Sequence, residues 1–121
     1  ADILLLKAEA YVETGNLQAA AGIVNTIRNR AKLEDLPGTT TTSKDKMADA
    51  VLNERRLELA FEGQRWFDLV RTGKVFAVMN SLNSRDSGRL PVTPVTEATV
   101  LLPIPQTQID KNPNLTQNTG Y

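Results

Sequence analysis

The amino-acid sequence predicts a mainly α-helical protein with an irregular, proline-rich C-terminal segment. Apolar residues recur at three- and four-residue intervals through residues 2–82, which is the spacing of one helix face. Short stretches that contain glycine or proline separate these periodic runs. Five of the six prolines lie between residues 91 and 113, where they exclude long helices. We therefore expect three parts within one domain: a helical hairpin over 1–32, further helices over 43–82, and an irregular tail over 83–121.

The first part is predicted to be two antiparallel helices. Residues 2–14 form the first, and Gly15 can adopt the left-handed conformation that ends it. A second apolar stripe runs to about residue 31, and so short a turn requires antiparallel packing. The series of large, small and aromatic residues is typical of a tetratricopeptide-like pair, and the residues in those places are Leu4, Ala8, Tyr11, Ala20, Val24 and Ile27. A generic helical hairpin fits the same spacing, because no second copy of the repeat occurs.

The middle part predicts a threonine-rich loop followed by three helices. Ser43 is a good N-cap for a helix over 44–62, and Gly63 allows a bend before shorter helices over 64–71 and 75–82. Apolar residues near the end of the first of these helices point around most of its circumference. We therefore expect that end to be buried on several sides; the residues are Leu57, Leu59, Ala60 and Phe61.

The tail has too many prolines for regular structure but too many apolar residues for a solvated chain. Residues 100–102 are predicted to be extended, and 106–111 could form one helical turn that ends before Pro113. Because an unpacked tail would be more polar, we expect this segment to wrap around the helices.

Composition excludes several classes of function. The 14 basic and 14 acidic residues balance, so there is no basic stripe of the kind that binds nucleic acid. The chain has no histidine and no cysteine, which removes the commonest metal ligand and general base as well as thiolate chemistry. We predict no cofactor, no metal site and no enzymatic activity.

Charged side chains are densest between residues 53 and 71. Charges on a helix that is buried on several sides must be paired, and intervals of three and seven residues offer partners such as Arg55 with Glu58 or Glu62, and Glu62 with Arg65. The sequence therefore predicts a structural lattice of ion pairs whose members are Arg55, Glu58, Glu62, Arg65, Asp68 and Arg71.

A catalytic interpretation of the same segment is the weaker alternative. Glu58 and Glu62 are four residues apart, so they could form a carboxylate pair for glycosidase chemistry. Trp66 could be an exposed platform for a sugar ring, although Phe67 and Leu69 beside it favour a core or helix-junction role. Arginines at matching intervals favour the lattice over catalysis.

Four motifs in order resemble the SusD/RagB family. The charged segment over 54–71 is the first, and residues 3–11 are similar to the family's LLLxAEAY helix. Residues 25–31 resemble the helix that follows it. The segments over 102–106 and 112–121 resemble the closing part of the family, except that Thr119 stands where members often carry proline.

The resemblance implies the C-terminal portion of a longer, non-catalytic nutrient-binding lipoprotein of the Bacteroidetes outer surface. Such proteins capture oligosaccharides, or in some members peptides, beside a SusC-type TonB-dependent transporter. The resemblance also implies that a lipid-bearing cysteine anchors the protein from a segment absent here. Family ligand contacts lie largely in variable loops, so we assign no ligand-binding residue. A tetratricopeptide-type scaffold for a protein partner is the alternative function.

Overall fold

The computed structural model describes residues 1–85 and 94–121, and it confirms the mainly α-helical prediction. Within these ranges every regular element is helical, and none of the helices is long and apolar enough to cross a membrane. The chain divides into two compact units, over 1–68 and 69–121. The helices are α1 (Asp2–Glu13), α2 (Leu17–Arg30), a 3-10 turn (Gly38–Thr42), α3 (Lys44–Glu58), α4 (Arg65–Arg71), α5 (Val75–Arg85), α6 (Glu97–Val100) and α7 (Gln106–Ile109).

The first unit begins with the predicted hairpin. Gly15 has a φ of 81°, which is the left-handed conformation expected at the end of α1. The side chain of Asn16 then caps α2 by accepting a hydrogen bond from the backbone N–H of Ala19 at 3.3 Å. The turn is short because one glycine reverses the chain and the next residue starts the new helix.

The core of the first unit lies between α1, α2 and α3. Its members share nearly complete burial and are Leu5, Ala8, Val12, Ala20, Ala21, Val24, Ile27, Met47 and Val51. Ala8 and Ala20 are both fully buried, as expected for small residues between closely packed helices. The prediction that Leu4 is the large core residue of α1 is wrong by one position. Leu5 is buried, whereas Leu4 is 43% exposed.

Helix α3 begins as predicted but ends earlier. The hydroxyl of Ser43 accepts a hydrogen bond from the backbone N–H of Lys46 at 3.2 Å and caps the helix. The last helical residue is Glu58 rather than Glu62, because Phe61 and Gly63 adopt φ values of 68° and 76°, which no helix accommodates.

The predicted burial around the end of α3 is wrong for most of its residues. Leu59 is buried, but Ala60 is exposed, Leu57 is 49% exposed and Phe61 is fully exposed. Because the helix stops at Glu58, Ala60 and Phe61 no longer follow its apolar stripe, whereas Leu57 lies within α3 and is on an exposed face of it.

The second unit is built from short helices and extended chain. The side-chain amide of Asn80 on α5 donates to the carbonyl of Val95 and accepts from its N–H, at 3.0 and 2.8 Å. Helix α6 ends at Val100, so the predicted extended stretch begins at Leu101, where ψ is 141°. Helix α7 confirms the single helical turn expected over 106–111, but it ends at Ile109. The predicted tail over 86–93 lies outside the described residues, and the wrapping of the tail around the helices stays a prediction.

Candidate functional site

Arg55 is the centre of the charged segment in the structure. It lies on the last turn of α3 and is only 3% exposed. Its Nε donates to Oδ2 of Asp68 on α4 at 2.8 Å, and its Nη1 lies 2.7 Å from Oδ1 of Asp2 on α1. One buried guanidinium therefore joins the start of α1, the end of α3 and the middle of α4.

The two carboxylates stabilise the charged form of Arg55. Burial alone would lower the pKa of its guanidinium, but the hydrogen bonds that it donates to Asp68 and Asp2, together with the negative charges of these carboxylates, raise that pKa above its usual value. A raised folded-state pKa contributes stability that is fully present below the unfolded pKa and is lost only as pH rises through the folded one. The contribution of Arg55 to stability is therefore present throughout the neutral range.

Two further ion pairs connect α2 to α3. Nη1 of Arg28 lies 3.1 Å from Oε2 of Glu54, and that carboxylate is almost completely buried. Arg30 pairs with Glu58 two residues further along α2 and four residues further along α3. Both pairs join neighbouring helices rather than successive turns of one helix.

The structure places the six predicted lattice residues differently from the spacing argument. Arg55 and Asp68 are brought together, but Glu58 pairs with Arg30 instead of Arg55. Glu62 is exposed, and among residues 1–85 and 94–121 it has no ion-pair partner. The expected partners of Glu62 fail because α3 stops before it, so the three- and seven-residue intervals no longer define one face.

The remaining two members lie on α4. Arg65 is half-buried, and its Nη1 donates to the backbone carbonyl of Leu52 at 3.3 Å. Arg71 is exposed at the end of the helix. Burial, with the nearby positive charge of Arg56, lowers the pKa of Arg65 from its usual value, and the negative charge of Asp68 offsets only part of that effect.

A groove of about 470 Å³ lies beside the turn between α3 and α4. We call it the α3–α4 groove, and its walls combine apolar side chains with guanidinium groups; they include Arg56, Leu59, Ala60, Phe61, Arg65 and Trp66. Trp66 is half-buried, which agrees with a position at the helix junction. Within the described part of the chain, no group of three or more acidic side chains is arranged to hold a metal ion.

Comparison with known proteins identifies the fold and the motifs together. The SusD family model, SusD_RagB, matches residues 1–121. This chain belongs to the SusD family. The match includes the α1–α2 hairpin, the charged segment and the closing segment, so the resemblance of the four motifs is confirmed.

The family relatives are all much longer than this chain. SusD-like protein P38 of Formosa agariphila is 38% identical over the whole chain, and the chain spans 23% of that protein. The starch-binding protein SusD of Bacteroides thetaiotaomicron is 32% identical over the whole chain, which spans 20% of it. The chain thus corresponds to about a quarter or less of these two SusD-family proteins.

Solved structures of the family share the architecture. A SusD superfamily protein from Bacteroides vulgatus matches 99% of this chain with a TM-score of 0.82 and 30% identity, over 26% of its own length. A SusD-like protein from Bacteroides fragilis matches 99% of this chain with a TM-score of 0.78 and 29% identity, over 24% of its length. The helical arrangement described above is therefore an established arrangement of the SusD family.

Sequence reasoning missed the partners that lie outside the charged segment. Asp2, Arg28 and Arg30 are separated from it by at least 24 residues, so no local interval reveals them. One signal was available: Glu54 and Glu58 are four residues apart, which puts both carboxylates on one face of α3. Two acidic groups on one face indicate a neighbouring element with two basic groups, and α2 supplies them.

Proposed function

We propose that this chain is part of a non-catalytic nutrient-binding protein of the cell surface that captures oligosaccharides for import. The observation that carries the proposal is the match of the whole chain to the SusD family, together with 32% identity to a protein named for starch binding. The helical units described here form the framework of such a protein. Ligand contacts come from other parts of the molecule, since loops held by a rigid scaffold are the usual carriers of binding residues.

The charged segment supports a structural role over a catalytic one. Glycoside hydrolysis requires two carboxylates that face one substrate, with one of them free to donate a proton. Glu58 is engaged with Arg30 on the neighbouring helix, and Glu54 with Arg28. Asp68 is held by the buried Arg55, so three of the acidic groups stabilise helix contacts.

The proposal includes a membrane partner. Family membership supports a lipid-anchored protein of the Bacteroidetes outer membrane that works beside a SusC-type TonB-dependent transporter. In this arrangement the captured oligosaccharide passes from the binding protein to the transporter. A peptide ligand, as in RagB-like members, is the variant of the same function.

A binding screen of the full-length protein tests the proposal. The purified protein is run in native gels that contain single polysaccharides, with calorimetry on oligosaccharides that retard it and on a set of peptides. We expect one class of glycan to be retained without release of new reducing ends. Binding of peptides alone would indicate the peptide-binding, RagB-like variant of the function. Binding of neither glycans nor peptides would contradict the nutrient-binding proposal.

The Glu58→Gln variant distinguishes a protein that only binds glycans from one that also cleaves them. Glu58→Gln removes the charge that a glycosidase would use while keeping the shape of the side chain. We expect unchanged affinity for the retained glycan. Turnover by the wild-type protein that Glu58→Gln abolishes would instead establish an enzyme. Purification of the protein with its transporter from detergent-solubilised membranes tests the partner separately.

A further inference from the structure

The side chain of Phe61 is in an unusual position for an aromatic residue. It lies at the edge of the α3–α4 groove and is fully exposed to solvent. Its φ of 68° is in the left-handed region, which a bulky side chain rarely occupies and which carries an energetic cost. Such a conformation persists when surrounding structure stabilises it, and nothing in the first unit packs over this ring.

Three arginines line the groove, and only Arg55 is paired with carboxylates among the described residues. Arg65 donates to the carbonyl of Leu52, and Arg56 donates to the side-chain oxygen of Asn53 at 3.0 and 3.2 Å. Across residues 1–85 and 94–121 neither forms a salt bridge. Arg65 is half-buried, and the negative charge of Asp68 offsets only part of the cost of burial, so its lost hydration is not fully replaced.

We propose that polypeptide from the part of the full-length protein outside this chain covers the α3–α4 groove permanently, packing apolar side chains on Phe61 and Trp66 and presenting a carboxylate to Arg65. About three-quarters or more of the length of each relative lies outside the region that this chain matches, which is enough polypeptide to form the cover. The apolar walls and a positive charge that Asp68 compensates only in part specify its chemistry: an apolar segment with at least one acidic residue.

A permanent cover explains Phe61 better than a transient ligand does. The strained backbone and the exposed ring would be unfavourable at all times when a reversible ligand is absent. An intramolecular contact compensates for both throughout the life of the protein, without the cost of association. This inference depends on family membership and not on which nutrient is captured.

Substitution of Phe61 by glycine tests the cover, because the cover determines whether the urea midpoint falls or rises. Lys32 is the matched control, because it is also an exposed non-glycine residue in the left-handed region, with a φ of 58°. Glycine relieves backbone strain at both positions. In the full-length protein we expect Lys32→Gly to leave the urea midpoint unchanged or higher, and Phe61→Gly to lower it. A midpoint for Phe61→Gly that is equal to or above that of the wild type would overturn the proposal.

Thiol accessibility tests the same contact without reliance on stability. In full-length protein freed of its own cysteines, Phe61→Cys is labelled with a maleimide, and the rate is compared with that in urea. We expect labelling to be slowed at least about tenfold by the native structure, because reaction requires local opening. Glu34→Cys, in an exposed loop, should be slowed much less.

Two results would contradict the proposal. Native labelling of Phe61→Cys as fast as in urea would show that the groove is open. Fast labelling that a glycan from the binding screen slows would assign the groove to ligand capture instead. Since neither result concerns whether glycans bind at all, failure here leaves the proposed nutrient-binding function standing.

Discussion

Arg55 and Asp68 form a buried ion pair across the turn that joins α3 to α4, with Nε of the arginine 2.8 Å from Oδ2 of the aspartate. Both residues are 3% exposed, and thirteen positions separate them in sequence. The pair is a buried link between α3 and α4, the helices on either side of the Phe61 turn. Removal of either partner would leave the other buried charge without this compensation.

Removal of Asp68 should destabilise the full-length protein. Asp68→Ala leaves the buried Arg55 with only Asp2 as a counter-charge, and breaking a buried pair on one side costs about 3–5 kcal/mol. We expect a loss near the lower end of that range, because Asp2 still compensates part of the charge. Urea denaturation followed by circular dichroism measures the change.

An exposed ion pair supplies the control for this prediction. Glu13 pairs with Lys44 at 2.7 Å, and both side chains are at least half exposed. Glu13→Ala should change stability by no more than about 1 kcal/mol, since solvent screens such pairs. Equal effects of the two substitutions would mean that Arg55 and Asp68 are not the structural connection described here.

Enlargement of Ala8 should disrupt the packing of the hairpin. Ala8 is fully buried in the core between α1, α2 and α3, and protein cores are close-packed. We expect Ala8→Leu to lower the free energy of unfolding by about 1–3 kcal/mol. On the same helix Ala10 is exposed, and Ala10→Leu should remain within about 0.5 kcal/mol of wild type. Thermal and urea unfolding of both variants would detect the difference, and similar shifts would contradict the core assignment.

Two glycines should respond to alanine in opposite directions. Gly15 ends α1 with a φ of 81°, where an alanine is strained, so Gly15→Ala should cost about 1–2 kcal/mol. Gly22 lies within α2, and nothing lies within 4 Å of an added Cβ there. Gly22→Ala should therefore stabilise by about 0.5–1 kcal/mol. Urea midpoints that move in the same direction for both variants would refute this account.

The hairpin could be predicted from sequence because its signals are local. Gly15 and the apolar intervals of α2 each act over a few residues, as does Ser43 at the start of α3, and each has the predicted role in the structure. The correction from Leu4 to Leu5 is within the one-position error of reading a face from an amphipathic helix whose other side is also apolar.

The charged segment could be predicted only in part, because its partners are set by tertiary packing. A spacing rule assumes a continuous helix, and the break after Glu58 invalidates it for Glu62. No interval in the sequence shows that α2 runs beside α3, so the pairing of Glu54 and Glu58 with Arg28 and Arg30 required the fold. The α3–α4 groove was not predicted either. The residue with left-handed backbone at this turn is Phe61, and only a glycine there would have indicated a turn from sequence.

The closing segment is held together by Gln117. Its side-chain oxygen accepts from the backbone N–H of Ile104 at 2.7 Å, and its side-chain nitrogen donates to the carbonyl of the same residue at 2.9 Å. Asn118 donates to the carbonyl of Leu102 in parallel. A primary amide carries an acceptor oxygen and a donor nitrogen side by side, so it can bond both backbone groups of one residue. Gln117 thus replaces a strand partner for a stretch of chain interrupted by Pro103 and Pro105.

Substitution of Gln117 should therefore release the segment over 101–104. Gln117→Ala removes both hydrogen bonds, and we expect faster amide exchange at Ile104 and a loss of about 1–2 kcal/mol in the stability of this unit. Gln117→Glu keeps the acceptor but not the donor, so the Ile104 amide should remain partly protected. Gln106, which is exposed and bonds Asp110, is the control: Gln106→Ala should leave exchange at Ile104 unchanged. Unaltered protection of Ile104 in Gln117→Ala, measured by hydrogen–deuterium exchange of the full-length protein, would show that other contacts hold the segment.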